Sequence, residues 1–240
     1  MQNNNITFEA FKQDVINDFK MACLSREVSL LGRKEVLTGK AKFGIFGDGK
    51  EVAQIAMAKV FKAGDFRSGY YRDQTFMFSS GMASPEHFFA QLYAIPDTIS
   101  EPNSGGRQMN GHFATRLLDN NGNWTDQTAT KNTSSDTSPT ASQMVRAVGL
   151  ALASTLYRQN PETDSRGFSV NGNEVVFATI GDASTSEGVF WEAVNAAGVL
   201  KIPLAFFVWD DGYGISVPKK YQTTKQNISE VLSGFQLDEE

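Results

Sequence analysis

Two short apolar runs, separated by a helical pattern, constrain the fold of this chain more than any other feature. The first run is EVVFATI at residues 174–180, and the second is PLAFFVW at residues 203–209. Nearly continuous apolar runs of this length are typical of strands that are buried on both faces of a parallel sheet. Residues 186–199 between them have a helical pattern. Strand, helix and strand in this order predict a βαβ unit, and therefore an α/β fold in which helices flank a parallel sheet.

The N-terminal part of the chain is predicted to be helical. Apolar residues at intervals of three and four predict a helix over about residues 7–31, with one buried face formed by Phe8, Phe11, Val15, Phe19 and Ala22. Another helix is expected after the glycine-rich turn KFGIFGDG, and further helices at residues 85–92 and 142–157. These patterns divide the chain into an N-terminal helical segment, 1–45, and a larger domain, 46–240.

Residues 100–143 are rich in Ser, Thr, Asn and Gly and show no period, which leaves two interpretations open. The segment is either a linker between two domains or a loop that carries part of a functional site. Long ordered loops in compact domains are usually functional, which favours the second interpretation. The segment also contains side chains suited to binding, namely Arg107, Met109, His112, Phe113 and Trp124.

Composition excludes several classes of protein. The net charge is −5, without a Lys/Arg block, so we expect no nucleic-acid partner. The N-terminus does not resemble a signal peptide and no apolar run is long enough to span a membrane, which predicts a cytoplasmic protein. One cysteine and two histidines cannot form a Cys/His zinc cluster. Cys23 lies in the first predicted helix, which favours a packed thiol over a nucleophile.

Acidic residues follow both predicted strands. Asp182 follows the first strand, and Asp210 and Asp211 follow the second. Because ligands bind at the carboxyl ends of parallel strands, we expect these carboxylates to converge there and to bind Mg²⁺ or Ca²⁺. Two acidic ligands are too few for a complete protein cage, so ligand phosphates and water would complete the Mg²⁺ shell. The helix start after Asp182 offers hydroxyls and amides to a phosphate through Ser184, Thr185 and Ser186. The sequence thus predicts a site for a metal ion and a diphosphate.

The same stretch resembles the thiamine diphosphate motif of the transketolase-like superfamily, in which Gly-Asp-Gly is followed at a distance by Asn or Asn-Asn. Here the motif reads Gly181-Asp182-Ala183 and, after residues 184–209, Asp210-Asp211. Further segments occur in the order typical of the α part of the thiamine-dependent first component of 2-oxoacid dehydrogenase complexes. They are GYYRDQ, GGRQMNGH, TSPTASQMVRAVGLA, SEGVFWEAVNAAG and DDGYGISVP. GRQM and GYGIS are most similar to the branched-chain type.

The resemblance implies a thiamine diphosphate-binding fold and a role for each matching residue. Asp182 and Asp211 would bind Mg²⁺ through side-chain oxygens, and Tyr213 through its backbone carbonyl. The diphosphate would contact Tyr71, Arg72, Ala183 and Ser184, and the aminopyrimidine would lie near Ser138, Thr140 and Ile215. His112 is a candidate for facing the substrate, although a lone histidine in a polar loop is more often a hydrogen-bonded surface residue. In some relatives the segment matching 137–143 surrounds K⁺, so K⁺ is a further candidate cofactor.

The resemblance also implies partners. In this family the glutamate that protonates the pyrimidine belongs to a β part, on a separate chain or beyond Glu240, and a lipoyl acyltransferase accepts the acyl group formed from the 2-oxoacid. We therefore expect a homo- or hetero-oligomer, and no activity from residues 1–240 alone. The chain ends before a later loop of the α part, so we expect it to be a piece of a longer protein, truncated at the C-terminus of the domain 46–240.

Two departures and two alternatives remain. Ala183 replaces a glycine, which requires an ordinary backbone conformation there, and Asp210-Asp211 adds negative charge near an anionic cofactor. The alternatives are a transketolase-like enzyme acting on sugar phosphates, and a binding module that kept the fold without the chemistry. A nicotinamide-binding domain is disfavoured because no G-x-G-x-x-G follows a predicted strand. The literal Gly-Asp-Gly at residues 47–49 has no acidic or amide pair at the required distance, so it is interpreted as a helix start.

Overall fold

The computed structural model describes residues 6–235, which form two compact units. The first unit comprises residues 6–61 and Arg72–Gly111, and the second comprises Lys62–Tyr71 and the residues from His112 onward. The division of the chain at residue 45, made from the sequence, stays a prediction.

The first unit is helical. It contains α1 (Phe8–Leu37), α2 (Glu51–Val60), α3 (Gln74–Ser79) and α4 (Pro85–Leu92). Gln74 joins α3 to α1, because its Nε2 donates to the hydroxyls of Ser25 and Ser29 at 3.1 and 2.9 Å. Helix α2 begins two residues after Gly49, as the interpretation of the Gly-Asp-Gly triplet as a helix start predicts.

Helix α1 buries a different part of its surface from the one that its period predicts. The buried residues of this helix are Ser25, Val28, Ser29, Gly32 and Glu35, all in its C-terminal half. Phe8 is 74% exposed and Phe19 is 69% exposed, and Phe11 and Val15 are also exposed. The predicted buried face is therefore wrong for these four residues, because the buried positions of α1 begin at Ser25; the fifth, Ala22, is half-buried.

The sulfur of Cys23 is also placed differently from the prediction. Cys23 is exposed, so the packed thiol is wrong. It lies two residues before the first buried position of α1, next to the half-buried Ala22. The pattern identified the helix correctly, but it could not show which turns find a neighbour.

The second unit is built on a four-stranded parallel sheet. Its strands are β1 (Phe66–Ser68), β2 (Asn132–Thr133), β3 (Val176–Gly181) and β4 (Leu204–Trp209), in the order β2-β1-β3-β4. Helices α5 (Gln143–Gln159) and α6 (Gly188–Leu200) pack with the sheet through Met144, Ala147, Ala151, Ile180 and Phe190. The α/β class, with helices flanking a parallel sheet and an N-terminal helical segment, is confirmed. The short strands β1 and β2 were not predicted.

Strand β4 is less buried than its sequence predicts. All six residues of β3 are buried, whereas only Trp209 of β4 is buried and the other five are half-buried. The reason is topological, because β4 lies at the edge of the sheet and no fifth strand pairs with it among residues 6–235. Its apolar sequence specified a strand correctly, but not its place in the sheet.

The polar segment 100–143 does not have the character of a solvated linker. Glu101 and Asn132 are fully buried and His112 is 2% exposed. The carboxylate of Glu101 accepts hydrogen bonds from Asn103, Ser104 and Gly106 at 2.6–2.9 Å. Buried polar groups with specific partners support the interpretation as a functional loop. Within the described part of the chain, no helix is long and apolar enough to cross a membrane.

Candidate functional site

The two acidic positions of the motif lie at the same edge of the sheet. Gly181 and Trp209, the last residues of β3 and β4, are partners in the parallel register. Asp182 and Asp210 follow them directly, and the Asp182 amide donates to the Trp209 carbonyl oxygen at 3.3 Å. The structure therefore brings the carboxyl ends of the two strands, and the acids after them, to one place, as the sequence predicts.

Asp182 is a buried carboxyl among like charges. It is 4% exposed. Burial raises its pKa, the amide of Ala183 opposes this by a hydrogen bond, and the negative charges of Asp211 and Asp210 raise the pKa further. A carboxylate held in this way gains from a nearby cation more than an exposed one does.

Lys219 supplies one positive charge that the sequence analysis missed. Its Nζ lies 2.6 Å from Oδ2 of Asp210, and the Gly212 amide donates to Oδ1 of Asp210 at 3.0 Å. The Tyr213 amide donates to Oδ1 of Asp211 at 3.2 Å. The second acid of the motif, Asp210, is thus already engaged by Lys219. No spacing signal in the sequence marks Lys219 as the partner of Asp210.

The donor set fits a hard divalent cation in chemical type but does not form a complete cage. Carboxylate and carbonyl oxygens are the ligands that Mg²⁺ prefers. In the part of the chain that the structure describes, no group of three or more His, Cys, Asp or Glu side chains is arranged to hold a metal by itself. The expectation that ligand phosphates and water complete a Mg²⁺ shell here stays a prediction.

The segment after Asp182 differs in detail from the predicted helix start. Ala183–Ser186 form a 3₁₀ turn, and α6 begins only at Gly188. The Thr185 amide and hydroxyl both bond to the Asp182 carbonyl oxygen, at 3.1 and 2.6 Å. Ala183 is not among the described residues with positive φ, so it has the ordinary conformation that replacement of glycine requires. The helix start therefore lies about two residues later than the pattern predicts, because the tighter turn comes first.

A short hairpin follows the second acidic pair. Strands β5 (Tyr213–Gly214) and β6 (Val217–Pro218) pair antiparallel, and Ile215 lies at the tip. A Cβ on Gly214 would lie 2.6 Å from the Cβ of Ala183, so glycine is required where the hairpin meets the turn after Asp182. Tyr213 therefore lies close to the candidate site, with its backbone in the hairpin ladder.

Ile215 has an unusual backbone for a β-branched residue. Its φ is +56° and its side chain is fully exposed. A left-handed conformation at such a residue costs on the order of 1–3 kcal/mol and is found mainly at functional sites. Ile215 is also the residue for which the resemblance implies a place near the aminopyrimidine.

His112 is held by two neighbours rather than lying on the surface. Its Nε2 is 3.0 Å from the hydroxyl of Ser138, and its ring stacks on Tyr71 at 6.4 Å between centroids. Ser138 and Thr140 themselves are exposed. The segment then turns at Ala141, where φ is +61°. Of the two readings of His112, the surface residue is wrong.

The loop that carries His112 is fixed by an ion pair that the sequence analysis missed. Arg67 and Asp136 are both buried, and three N–H···O contacts of 3.1 Å join them. Asp136 also accepts the amide of Phe113, and Arg67 donates to Thr133 and to the Tyr70 carbonyl oxygen. The two residues are 69 positions apart in the sequence, so no local pattern predicts their pairing.

Arg72 belongs to the first unit, where its orientation is set by the backbone. Its guanidinium donates to the Phe46 carbonyl oxygen at 2.7 Å, and its own carbonyl oxygen accepts from the side chain of Gln54. Arg107, in the same unit, is exposed. Tyr71 belongs to the second unit, where it is half-buried and packs against Tyr70 at 4.3 Å between ring centroids.

Comparison with known proteins agrees with these features. The family model described as "Dehydrogenase E1 component" matches residues 19–237. The 2-oxoisovalerate dehydrogenase subunit alpha of Bacillus subtilis (strain 168) is 29% identical over 228 residues, which cover 93% of this chain and 59% of that protein. The mitochondrial 2-oxoisovalerate dehydrogenase subunit alpha of Caenorhabditis elegans is 28% identical over 184 residues, covering 77% of this chain and 36% of that protein.

A third relative is more similar over a shorter stretch. The 3-methyl-2-oxobutanoate dehydrogenase subunit alpha of Mycobacterium tuberculosis (strain CDC 1551 / Oshkosh) is 34% identical over 97 residues, which cover 40% of this chain and 23% of that protein. The aligned stretches thus cover less than two thirds of the length of each of these relatives. Because the family model matches nearly the whole chain, this protein belongs to the dehydrogenase E1 component family.

Proposed function

We propose that this chain carries the metal- and diphosphate-binding part of the decarboxylating component of a branched-chain 2-oxoacid dehydrogenase complex. The observation that carries the proposal is the convergence of Asp182 and the pair Asp210-Asp211 at adjacent carboxyl ends of β3 and β4. The names of the relatives support the branched-chain substrate class. They favour this function over transketolase-like transfer between sugar phosphates.

The proposed cofactors are thiamine diphosphate and Mg²⁺. When bound, thiamine diphosphate would supply an electron sink for decarboxylation of the 2-oxoacid. The chain's own residues would bind and orient it. Asp182, Asp211 and the carbonyl of Tyr213 would hold the metal. Residues proposed for the diphosphate are Tyr71, Arg72, Ala183 and Ser184, and those proposed for the aminopyrimidine are Ser138, Thr140 and Ile215.

His112 is the candidate catalytic residue of this chain. Its ring is oriented by the Ser138 hydroxyl and by stacking on Tyr71, which fixes the direction of one ring nitrogen. A histidine held in this way can donate or accept a hydrogen bond at a defined position. We propose that it faces the substrate when the site is complete.

The proposed partners are a β part, which would provide the glutamate needed at the pyrimidine, and a lipoyl acyltransferase. A homo- or hetero-oligomer, K⁺ near residues 137–143 and a cytoplasmic location belong to the same proposal. Arg67 and Asp136, which are buried beside that segment, form an ion pair, so their charges neither favour nor oppose the binding of K⁺.

Calorimetric titration of the protein, assembled with its β part, tests the metal site. We expect Asp182→Ala to abolish Mg²⁺-dependent binding of thiamine diphosphate, because the neighbouring Asp210 is engaged by Lys219. Asp211→Asn should leave binding largely intact, since an amide oxygen can still ligate the ion. Equal loss in both variants would contradict the assignment of Asp211 as an ordinary ligand.

Turnover by the same assembly tests the substrate class. We expect decarboxylation and acyl transfer with branched-chain 2-oxoacids, and less with pyruvate. Binding of thiamine diphosphate without turnover of either substrate would instead support a binding module that kept the fold without the chemistry.

A further inference from the structure

A cavity lies in the sheet-containing unit, away from the acidic site formed by Asp182, Asp210 and Asp211. Its volume is about 150 Å³, and its lining includes Phe66 and Val176, the first residues of β1 and β3. Asp182 follows the other end of β3. Because β3 has six residues, this strand separates the two places by about 20 Å. The cavity is therefore distinct from the proposed diphosphate site.

The walls of this cavity are mainly apolar and aromatic. Trp124, Leu150, Tyr157 and Phe168 contribute to the lining. The rings of Trp124 and Phe168 meet edge to face, with centroids 5.1 Å apart. Aromatic walls of this kind suit a flat or branched apolar group.

One buried polar group in the lining lacks a partner. Gln127 is 7% exposed, and its Nε2 has no hydrogen-bond partner among the described residues. The rest of this residue is well held, because its backbone carbonyl oxygen accepts from Nδ2 of Asn132 at 2.8 Å. A buried amide donor without an acceptor is uncommon in folded proteins and calls for a ligand or a water.

The charges around the cavity indicate a neutral ligand. Glu174 lines the cavity, and its carboxylate accepts from the hydroxyl of Ser169 at 2.7 Å. Arg166 lies over the Trp124 ring, 5.9 Å from its centroid. An anion would be repelled by Glu174, whereas a cation would meet Arg166 at the aromatic wall. Neither sign of charge is favoured.

We propose that this cavity is a binding site for a small, neutral and largely apolar molecule that carries one hydrogen-bond acceptor. A cavity of about 150 Å³ with apolar walls is large enough for a benzene ring. The ring would pack against Trp124 and Phe168, and its acceptor would receive the Gln127 amide once that side chain turned toward the cavity. This site is independent of the proposed function, because none of its residues belongs to the acidic motif.

Ligand titration followed by fluorine NMR tests this site. The full protein is labelled with 5-fluorotryptophan, and the Trp124 resonance is assigned by its loss in Trp124→Phe. The two probes are acetophenone, which has one carbonyl acceptor, and ethylbenzene, which has a similar shape without it. We expect both probes to shift the Trp124 resonance in a saturable manner.

Gln127→Met then separates the donor from the cavity, because methionine keeps the size and removes the N–H. We expect this variant to weaken the binding of acetophenone about three- to tenfold, as expected for loss of one hydrogen bond. The affinity for ethylbenzene should change less than about twofold. Equal weakening of both probes, or of neither, would overturn the role of Gln127.

Ala153→Leu fills the cavity, since Ala153 lines it. We expect this variant to lose both probes while retaining the thermal unfolding midpoint of a folded protein. Ala196→Leu is the matched control, as it makes the same change at a half-buried alanine of α6 outside the cavity, and it should bind both probes normally. No saturable shift in the unmodified protein, or binding retained in Ala153→Leu, would show that the cavity holds only water or is a packing void.

Discussion

The buried ion pair between Arg67 and Asp136 allows a quantitative prediction about stability. The two side chains are 0% and 1% exposed and share three contacts of 3.1 Å. Arg67→Met removes the guanidinium and leaves the Asp136 carboxylate in a buried place without its counter-charge. Breaking a buried pair in this way costs about 3–5 kcal/mol. For a chain of this size, we expect the unfolding midpoint to fall by about 6–20 °C.

Two further variants refine this expectation. Asp136→Asn keeps an acceptor for the Phe113 amide, while Arg67 keeps its bonds to Thr133 and to the backbone, so we expect a smaller loss of about 1–3 kcal/mol. Arg116→Met is the matched control, because Arg116 is exposed in the same unit, and its effect should stay within about 0.5 kcal/mol.

Differential scanning calorimetry at neutral pH measures all three midpoints. If Arg67→Met lowered the midpoint no more than Arg116→Met does, the buried pair would not stabilise the unit and the reasoning would be refuted. A loss in Asp136→Asn larger than that in Arg67→Met would show instead that the buried Arg67 guanidinium without its counter-charge costs more than the buried Asp136 carboxylate without its own.

Three other predictions follow from single residues. Asp182→Asn should raise the unfolding midpoint of the cofactor-free protein, because it removes a buried charge among like charges; a lower midpoint in calorimetry would contradict this. Burial raises the pKa of Glu101, but hydrogen bonds, chiefly from Ser104, lower this pKa overall. The stability that the ionised Glu101 contributes is therefore lost as the pH falls through its folded pKa. Between about pH 5 and pH 3 the midpoint should therefore fall less in Glu101→Gln than in the unmodified protein, and parallel curves would exclude that role. Arg72→Ala should weaken the binding of thiamine diphosphate by about 1.5–3 kcal/mol, and Arg107→Ala should weaken it by less. The reverse ranking in a titration would reject Arg72 as a phosphate ligand.

The sequence determined those features that depend on neighbours along the chain. Runs such as 174–180 and 203–209 specify strands because each residue contributes its own apolar surface. The period of residues 7–31 specifies a helix, and the positions of Asp182 and Asp210 directly after strands specify which edge of the sheet they occupy. Each of these inferences needs only local spacing and the rule that parallel strands end at a common edge.

Tertiary structure decided which surfaces meet, because burial depends on residues that are distant in sequence. The apolar face of α1 is exposed at Phe8 and Phe19, although its period is that of a buried face. Strand β4 has the sequence of a central strand but lies at the edge of the sheet that residues 6–235 form. Arg67 finds Asp136, and Asp210 finds Lys219, only when the sheet and the hairpin have formed. Local patterns predict whether an element is a helix or a strand, whereas the packing of the whole unit decides its neighbours and charge partners.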